Sequence, residues 1–198
     1  MCCLFGFVDY AGSLSVKQRN RLIRELSIAA EARGTDATGI AYNTSRGLQV
    51  YKRPLAAHRL HLRIPAEARA VMGHTRMTTQ GSAKKNYNNH PFFGHVKEES
   101  FALAHNGVLW NDLELRHAKH LPRTKVQTDS YIAVQLLEQK KSLDFDSLRY
   151  MAEQVEGSFS FTVLDERVRC GSSKGTARSA LPTFRSVAFT FTPRLSRS

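Results

Sequence analysis

The 198-residue sequence predicts an α+β protein in which sheets pack together and helices lie outside them. Three observations carry that prediction. Short apolar runs of strand character occur at the start of the chain, in its middle and near residue 160. Stretches with a helical apolar period occupy residues 15–33 and the region after about residue 128. No internal repeat and no linker interrupts residues 1–166, so these elements read as one domain of ordinary size.

Leu4-Phe5-Gly6-Phe7-Val8 reads as a buried first strand. Ser15 is a candidate N-cap for a helix whose inner face is Leu22, Ile23, Leu26, Ala29, Ala30 and Arg33. Lys17, Arg19, Arg21 and Arg24 fall among its polar positions, and Gly34 is placed to end it. Thr35–Gly39 reads as a turn, and Ile40-Ala41-Tyr42 as a strand. A turn at Gly47 joins that strand to Leu48–Tyr51 as a hairpin. Ala70–His74 is a further buried strand. Residues 82–95 are polar, rich in Asn and His and broken by Pro91 and Gly94, the signature of a long functional loop. Phe101–Ala104 is a strand ending at His105-Asn106-Gly107. Asn111 is placed to cap a short helix through Leu115. Ile132, Ala133, Leu136 and Leu137 share one helical face; Leu148, Met151, Ala152 and Val155 share another. Gly157 stops the second of these helices, and Ser158–Leu164 alternates as a last strand.

Composition excludes several classes. Hydrophobic content of 41% and charged content of 23% are those of a globular protein. No apolar stretch reaches the ~18 residues of a membrane span, and the N-terminus lacks the basic region of a signal peptide. Three cysteines, two of them adjacent, form no disulfide framework and fit a reducing cytoplasm. The net charge of +12 invites a nucleic-acid reading, but its distribution argues against one. Residues 167–198 hold seven Lys and Arg and no acid; without them the charge falls to +5. His74, His90, His95 and His105 do not follow structural-zinc spacing, so no metal site is expected. Gly171–Gly175 lacks the order of a phosphate-binding loop.

The chemistry centres on Cys2. Removal of Met1 is expected before so small a residue, leaving Cys2 with both a thiol and a free α-amine. The thiol titrates near ~8.5 and the amine near ~7.7–8.0, so one residue can supply nucleophile and base. A buried small hydrophobe is the alternative reading of the same cysteine. Attack on a carboxamide requires donors where the oxyanion develops. The Asn106 side chain and the Gly107 N–H are candidates, although Asn-Gly is equally a turn signal. Arg76, after a buried strand and followed by small hydroxyls, suits a substrate carboxylate; otherwise it is a solvated loop residue. Asp129 suits a substrate ammonium; otherwise it complements a helix dipole.

Taken together, these stretches resemble the class II glutamine amidotransferase domain, an N-terminal-nucleophile hydrolase. They are Met1–Gly6, Arg33–Gly39, Gly73–Arg76 with Thr79 and Gly81, Asn89-His90-Pro91, Ala104–Gly107, Thr128-Asp129 and Gly157-Ser158-Phe159. They follow the family's order and spacing across residues 1–166. The resemblance implies a four-layer αββα sandwich that hydrolyses L-glutamine to glutamate and ammonia through a Cys2 thioester, without a cofactor. It implies Asn106 and Gly107 as the oxyanion hole, with Arg76, Thr79 and Asp129 as the glutamine site. Arg33 and Asp36 would buttress the nucleophile strand, and the loop from Thr78 to Gly94 would close over the substrate. An ammonia-accepting synthase subunit is the implied partner, and a homo-oligomer is compatible with the sequence. A degenerate amino-acid-binding module of the same fold is the alternative function.

Five departures stand out. Cys3 replaces a usual Gly, Met77 a frequent Trp and Gln80 a frequent His. No isomerase or phosphoribosyltransferase domain follows, which reads as a free-standing glutaminase. The fifth is the basic stretch 167–198, an atypical tail where the family continues with strands. The abrupt loss of acids after Glu166 suggests a shifted reading frame or a truncated gene.

Overall fold

A computed structural model describes residues 2–97, 99–166 and 170–175. Among the described residues, eight strands form two four-stranded antiparallel sheets. The first has the order β1-β4-β2-β3, from β1 (Cys3–Val8), β2 (Ala37–Thr44), β3 (Gly47–Arg53) and β4 (Ala70–Arg76). The second has the order β5-β6-β7-β8, from β5 (Phe92–Val96), β6 (Glu99–Leu109), β7 (Gly157–Asp165) and β8 (Cys170–Gly175). Helix α1 (Val16–Ala30) packs on the first sheet. Helices α2 (Asp112–Ala118), α3 (Tyr131–Lys140) and α4 (Phe145–Gln154) lie on the side of the second.

Three apolar layers define the stacking. Cys3, Phe5, Phe7 and Val71 meet Ile23 and Ala30 of α1. Phe101, Leu103, Phe161 and Val163 meet Ile132, Leu136, Leu137 and Met151 of the outer helices. Between the sheets, Ala41, Ala70 and Met72 face Ala102, Ala104 and Leu164, and the four alanines let the sheets approach. The result is a four-layer αββα sandwich, as the resemblance implied. Each fully buried large side chain in it, such as Ile23 or Phe161, contributes about 1.5–3 kcal/mol by leaving water.

Register places the site. Cys3 pairs with Thr75 and Ala37 pairs with Arg76, so the start of β1 and the end of β4 meet at one edge of the sandwich. In the other sheet Asn106 pairs with Ser160 and Gly107 with Phe159.

Several local expectations need correction. Ser15 does cap α1, in a reciprocal box with Gln18. Arg19, however, is buried rather than polar and exposed. Its guanidinium donates to the carbonyls of Ala66 and Ala68 at 2.8 and 2.5 Å and lies 3.9 Å from Asp9. Ala29 is exposed, and Arg33 sits in a 3-10 turn after the helix. Gly34 is no left-handed cap; its backbone is extended, and a Cβ there would come within 2.4 Å of the Arg76 carbonyl carbon. The turn before β2 is shorter than expected, because Ala37, Thr38 and Gly39 already pair with β4. The loop read to residue 95 ends at β5, where Phe92 enters the core. Strand β6 runs through Asn106-Gly107 instead of ending there. Asn111 makes no cap bond, because its side chain binds the Gln154 carbonyl and the Glu156 N–H, each at 2.9 Å. Strand β8, paired with β7, falls within the stretch read as a basic tail. The rest of that stretch, residues 167–169 and 176–198, lies outside the described residues, as does Met1.

Candidate active site

Cys2 stands at the mouth of β1. Its thiol donates to the Met77 carbonyl at 3.5 Å. Its own carbonyl accepts from Arg33 Nε at 3.1 Å, which ties the start of β1 to the turn after α1. Asp36 fixes the opposing wall: its N–H donates to the Arg76 carbonyl (2.9 Å) and its carboxylate accepts from Thr78 N–H (2.7 Å). The Met77 carbonyl facing the thiol is thus held between two bonds to one residue. Burial pushes the Cys2 thiol up from its ordinary pKa.

Arg76 is 3% exposed. Its Nη1 donates to Asn89 Oδ1 at 2.7 Å, and its Nη2 donates to the carbonyls of Gln80 and Gly81 at 2.5 and 3.1 Å. The guanidinium therefore organises the 77–90 loop from below. A guanidinium carries five N–H groups, so these three contacts leave it donor capacity. Asp129 precedes α3 and is also buried. Its Oδ2 accepts from Leu109 N–H at 2.7 Å, and its Oδ1 accepts from Ser130 Oγ at 3.2 Å. Four lone-pair sites on a carboxylate leave room for a further cation.

Behind these residues lie three buried histidines. His74 Nε2 donates to the His105 carbonyl at 3.0 Å, and His105 Nδ1 donates to Ser130 Oγ at 2.8 Å. The His74 and His90 rings approach to 4.3 Å between centroids. Burial holds all three below the ordinary imidazole range, His74 at about 3 and His105 at about 4. They are neutral at physiological pH and add no charge beside Arg76.

Cys2, Arg76, Thr79, Gly107 and Asp129 line one pocket of about 270 Å³, counted with its open mouth. Met77, Gln80, His90, His105, Thr128 and Ser130 complete its walls. Asn106 is half-buried on β6 beside Gly107 and is not among the lining residues. Arg33 and Asp36 stand behind the wall, on Cys2 and on the Arg76–Thr78 segment. The roles of Met77 as a carbonyl acceptor and of Gln80 and Ser130 as wall residues carried no separate signal in the sequence, whereas Thr128 lay in the Thr128-Asp129 motif. His90 and His105 lay inside recognisable motifs, but their place in the pocket depends on sheet stacking. Among the described residues no group of three or more His, Cys, Asp or Glu is placed to hold a metal.

The two layered sheets with a cysteine at the start of β1 define a protein of the N-terminal-nucleophile amidotransferase type. The family model for class II glutamine amidotransferases matches residues 1–176, and the chain belongs to that family. The glutamine–fructose-6-phosphate aminotransferase of Thermus thermophilus is 33% identical over 173 residues, covering 84% of this chain and 27% of the relative. That of Bacillus subtilis is 35% identical over 138 residues, covering 68% and 22%. The chain thus spans about a quarter of the length of these relatives. Among solved structures, the allosteric regulatory enzyme of purine biosynthesis superposes with a TM-score of 0.69 at 18% identity, covering 88% of this chain and 37% of that one. The glutamine phosphoribosylpyrophosphate amidotransferase of B. subtilis superposes at 0.66, also at 18% identity, with the same coverage. Both share the fold.

Proposed function

We propose that the protein hydrolyses L-glutamine to glutamate and ammonia through a thioester on Cys2. The observation that carries this reading is the convergence of Cys2, Arg76, Gly107 and Asp129 on one pocket. The Cys2 α-amine takes the thiol proton, and sulfur attacks the side-chain carboxamide carbon. The oxyanion is stabilised by the N–H of Gly107, which lines the pocket, and the second donor is the amide of Asn106 beside it on β6, a role that rests on the family resemblance; such donors are worth about 2.7–4 kcal/mol each in acyl transfer. Collapse of the tetrahedral adduct returns the proton to the leaving nitrogen and releases ammonia. Water then cleaves the thioester, leaving glutamate and the free thiol. Arg76 takes the α-carboxylate, and Asp129 takes the α-ammonium with Thr79 beside it. Arg33 and Asp36 hold the two walls apart at a fixed width.

No cofactor or metal enters this scheme. The aminotransferases it resembles are about three times this chain's length, which supports an ammonia-accepting partner or domain as the consumer of the product. A free catalytic thiol suits a reducing compartment such as the cytoplasm. No described helix is long and apolar enough to cross a membrane.

A coupled glutamate-release assay on purified protein tests the reading. Turnover by the wild type and its loss in Cys2→Ala is the expected result. Glutamine binding without turnover would instead favour an amino-acid-binding module.

A further inference from the structure

Arg76 and Asp129 come from different parts of the sandwich, one at the end of β4 and one before α3. Gln80 bridges them. Its backbone carbonyl accepts from Arg76 Nη2 at 2.5 Å, and its side-chain Oε1 accepts the backbone N–H of Asp129 at 2.8 Å. Gln80 itself lines the pocket. A second stitch lies alongside: Asn88 Oδ1 accepts from Gln127 N–H at 2.9 Å, and Asn88 Nδ2 donates to Gln127 Oε1 at 3.1 Å. Gly81, with φ +69, lets the chain turn between the two stitches, where a Cβ would come within 3.1 Å of both Asn88 and Gln127. Neutral carboxamides thus button the 77–90 loop to residues 127–129.

We propose that Gln80 is a positioning residue that latches this loop and sets the spacing between Arg76 and Asp129. It thereby controls affinity for the α-carboxylate and α-ammonium of the amino acid, not the thioester chemistry. The side chain is suited to this because it is neutral. The Asp129 N–H needs an acceptor, and a carboxylate there would set a second anion beside Asp129 and offer Arg76 an internal rival to the substrate. The proposal rests on the glutaminase reading for the identity of the ligand.

The test is a kinetic and exchange comparison of Gln80→Ala and Gln80→Glu with the wild type. Gln80→Ala should raise KM for L-glutamine about 5- to 20-fold, the loss of one hydrogen bond, with kcat within about twofold. Amide hydrogen exchange at Asp129 should quicken. Gln80→Glu keeps an acceptor, so Asp129 should stay protected, while KM rises beyond that of Gln80→Ala because the new anion competes for Arg76. An unchanged KM in Gln80→Ala, a fall in kcat alone, or a wild-type KM in Gln80→Glu overturns the proposal. If the wild type proves inactive, the glutaminase reading fails separately. The latch is then read from L-glutamine titration calorimetry in a Cys2→Ala background: a weaker Kd with Gln80→Ala supports it, and equal Kd values or no binding at all overturn it.

Discussion

Cys2 Sγ and the Met77 carbonyl oxygen stand 3.5 Å apart, so the thiol rests against the segment that Asp36 pins through Arg76 and Thr78. Cys2 and Arg76 are thus joined through the backbone of residues 76–78. A disturbance of either reaches the other.

The thiol's environment sets its reactivity. Burial raises the Cys2 pKa, so the thiolate fraction at neutral pH is below that of a free cysteine. Inactivation by iodoacetamide should therefore rise with pH to a midpoint above that of a free thiol near ~8.5. A midpoint below that value would mean a neighbouring cation outweighs burial.

Gly34 tests the coupling of turn to site. Its φ is extended, so alanine carries no dihedral penalty there, yet its Cβ would strike the Arg76 and Met77 backbone at 2.4–2.6 Å. Gly34→Ala should lower stability by about 1–3 kcal/mol and also reduce glutamine turnover. Denaturant unfolding and the glutamate assay measure the two. A variant with wild-type activity would separate the turn from the site.

Arg19 offers the opposite case, stability without function. It ties α1 to the carbonyls of Ala66 and Ala68, far along the chain from Cys2. Arg19→Met should keep much of the packed stem and lose both bonds. Those carbonyls then stand without their donor, at a cost of about 1–3 kcal/mol. Urea unfolding should register that loss while KM for glutamine stays within about twofold.

The buried imidazoles set an acid limit. His74 and His105 have folded pKa values of about 3 and 4, below the ordinary 6.5 of the unfolded chain. Between those values the unfolded state binds more protons, so stability falls as pH drops from about 6.5 towards 4. Urea midpoints at pH 7 and pH 4.5 should differ, and His74→Gln should shrink the difference. An equal pH dependence in that variant would assign the acid limit to other groups.

Much of the architecture could be read from the chain. The helical faces of α3 and α4, the β2–β3 hairpin at Gly47 and the buried β4 followed from apolar period, apolar runs and turn residues, signals that neighbouring residues carry among themselves. Arg19 and Phe92 misled for a shared reason. Their burial depends on partners far along the chain, Ala66 and Ala68 for the first and the α3 layer for the second. Asn-Gly at 106–107 looked like a turn, yet the neighbouring strand β7 keeps it in the sheet. The site was legible as an ordered set of motifs. What no motif disclosed was how Gln80, Met77 and Ser130 knit those residues together, since two of those contacts run through backbone atoms.

Labelling by a glutamine-like diazoketone tests the central claim most directly. Intact mass and peptide mapping should find one adduct, on an N-terminal peptide beginning at Cys2, and L-glutamine should protect against it. An adduct on another residue, a retained Met1 ahead of Cys2 in active protein, or labelling that glutamine does not slow would contradict it.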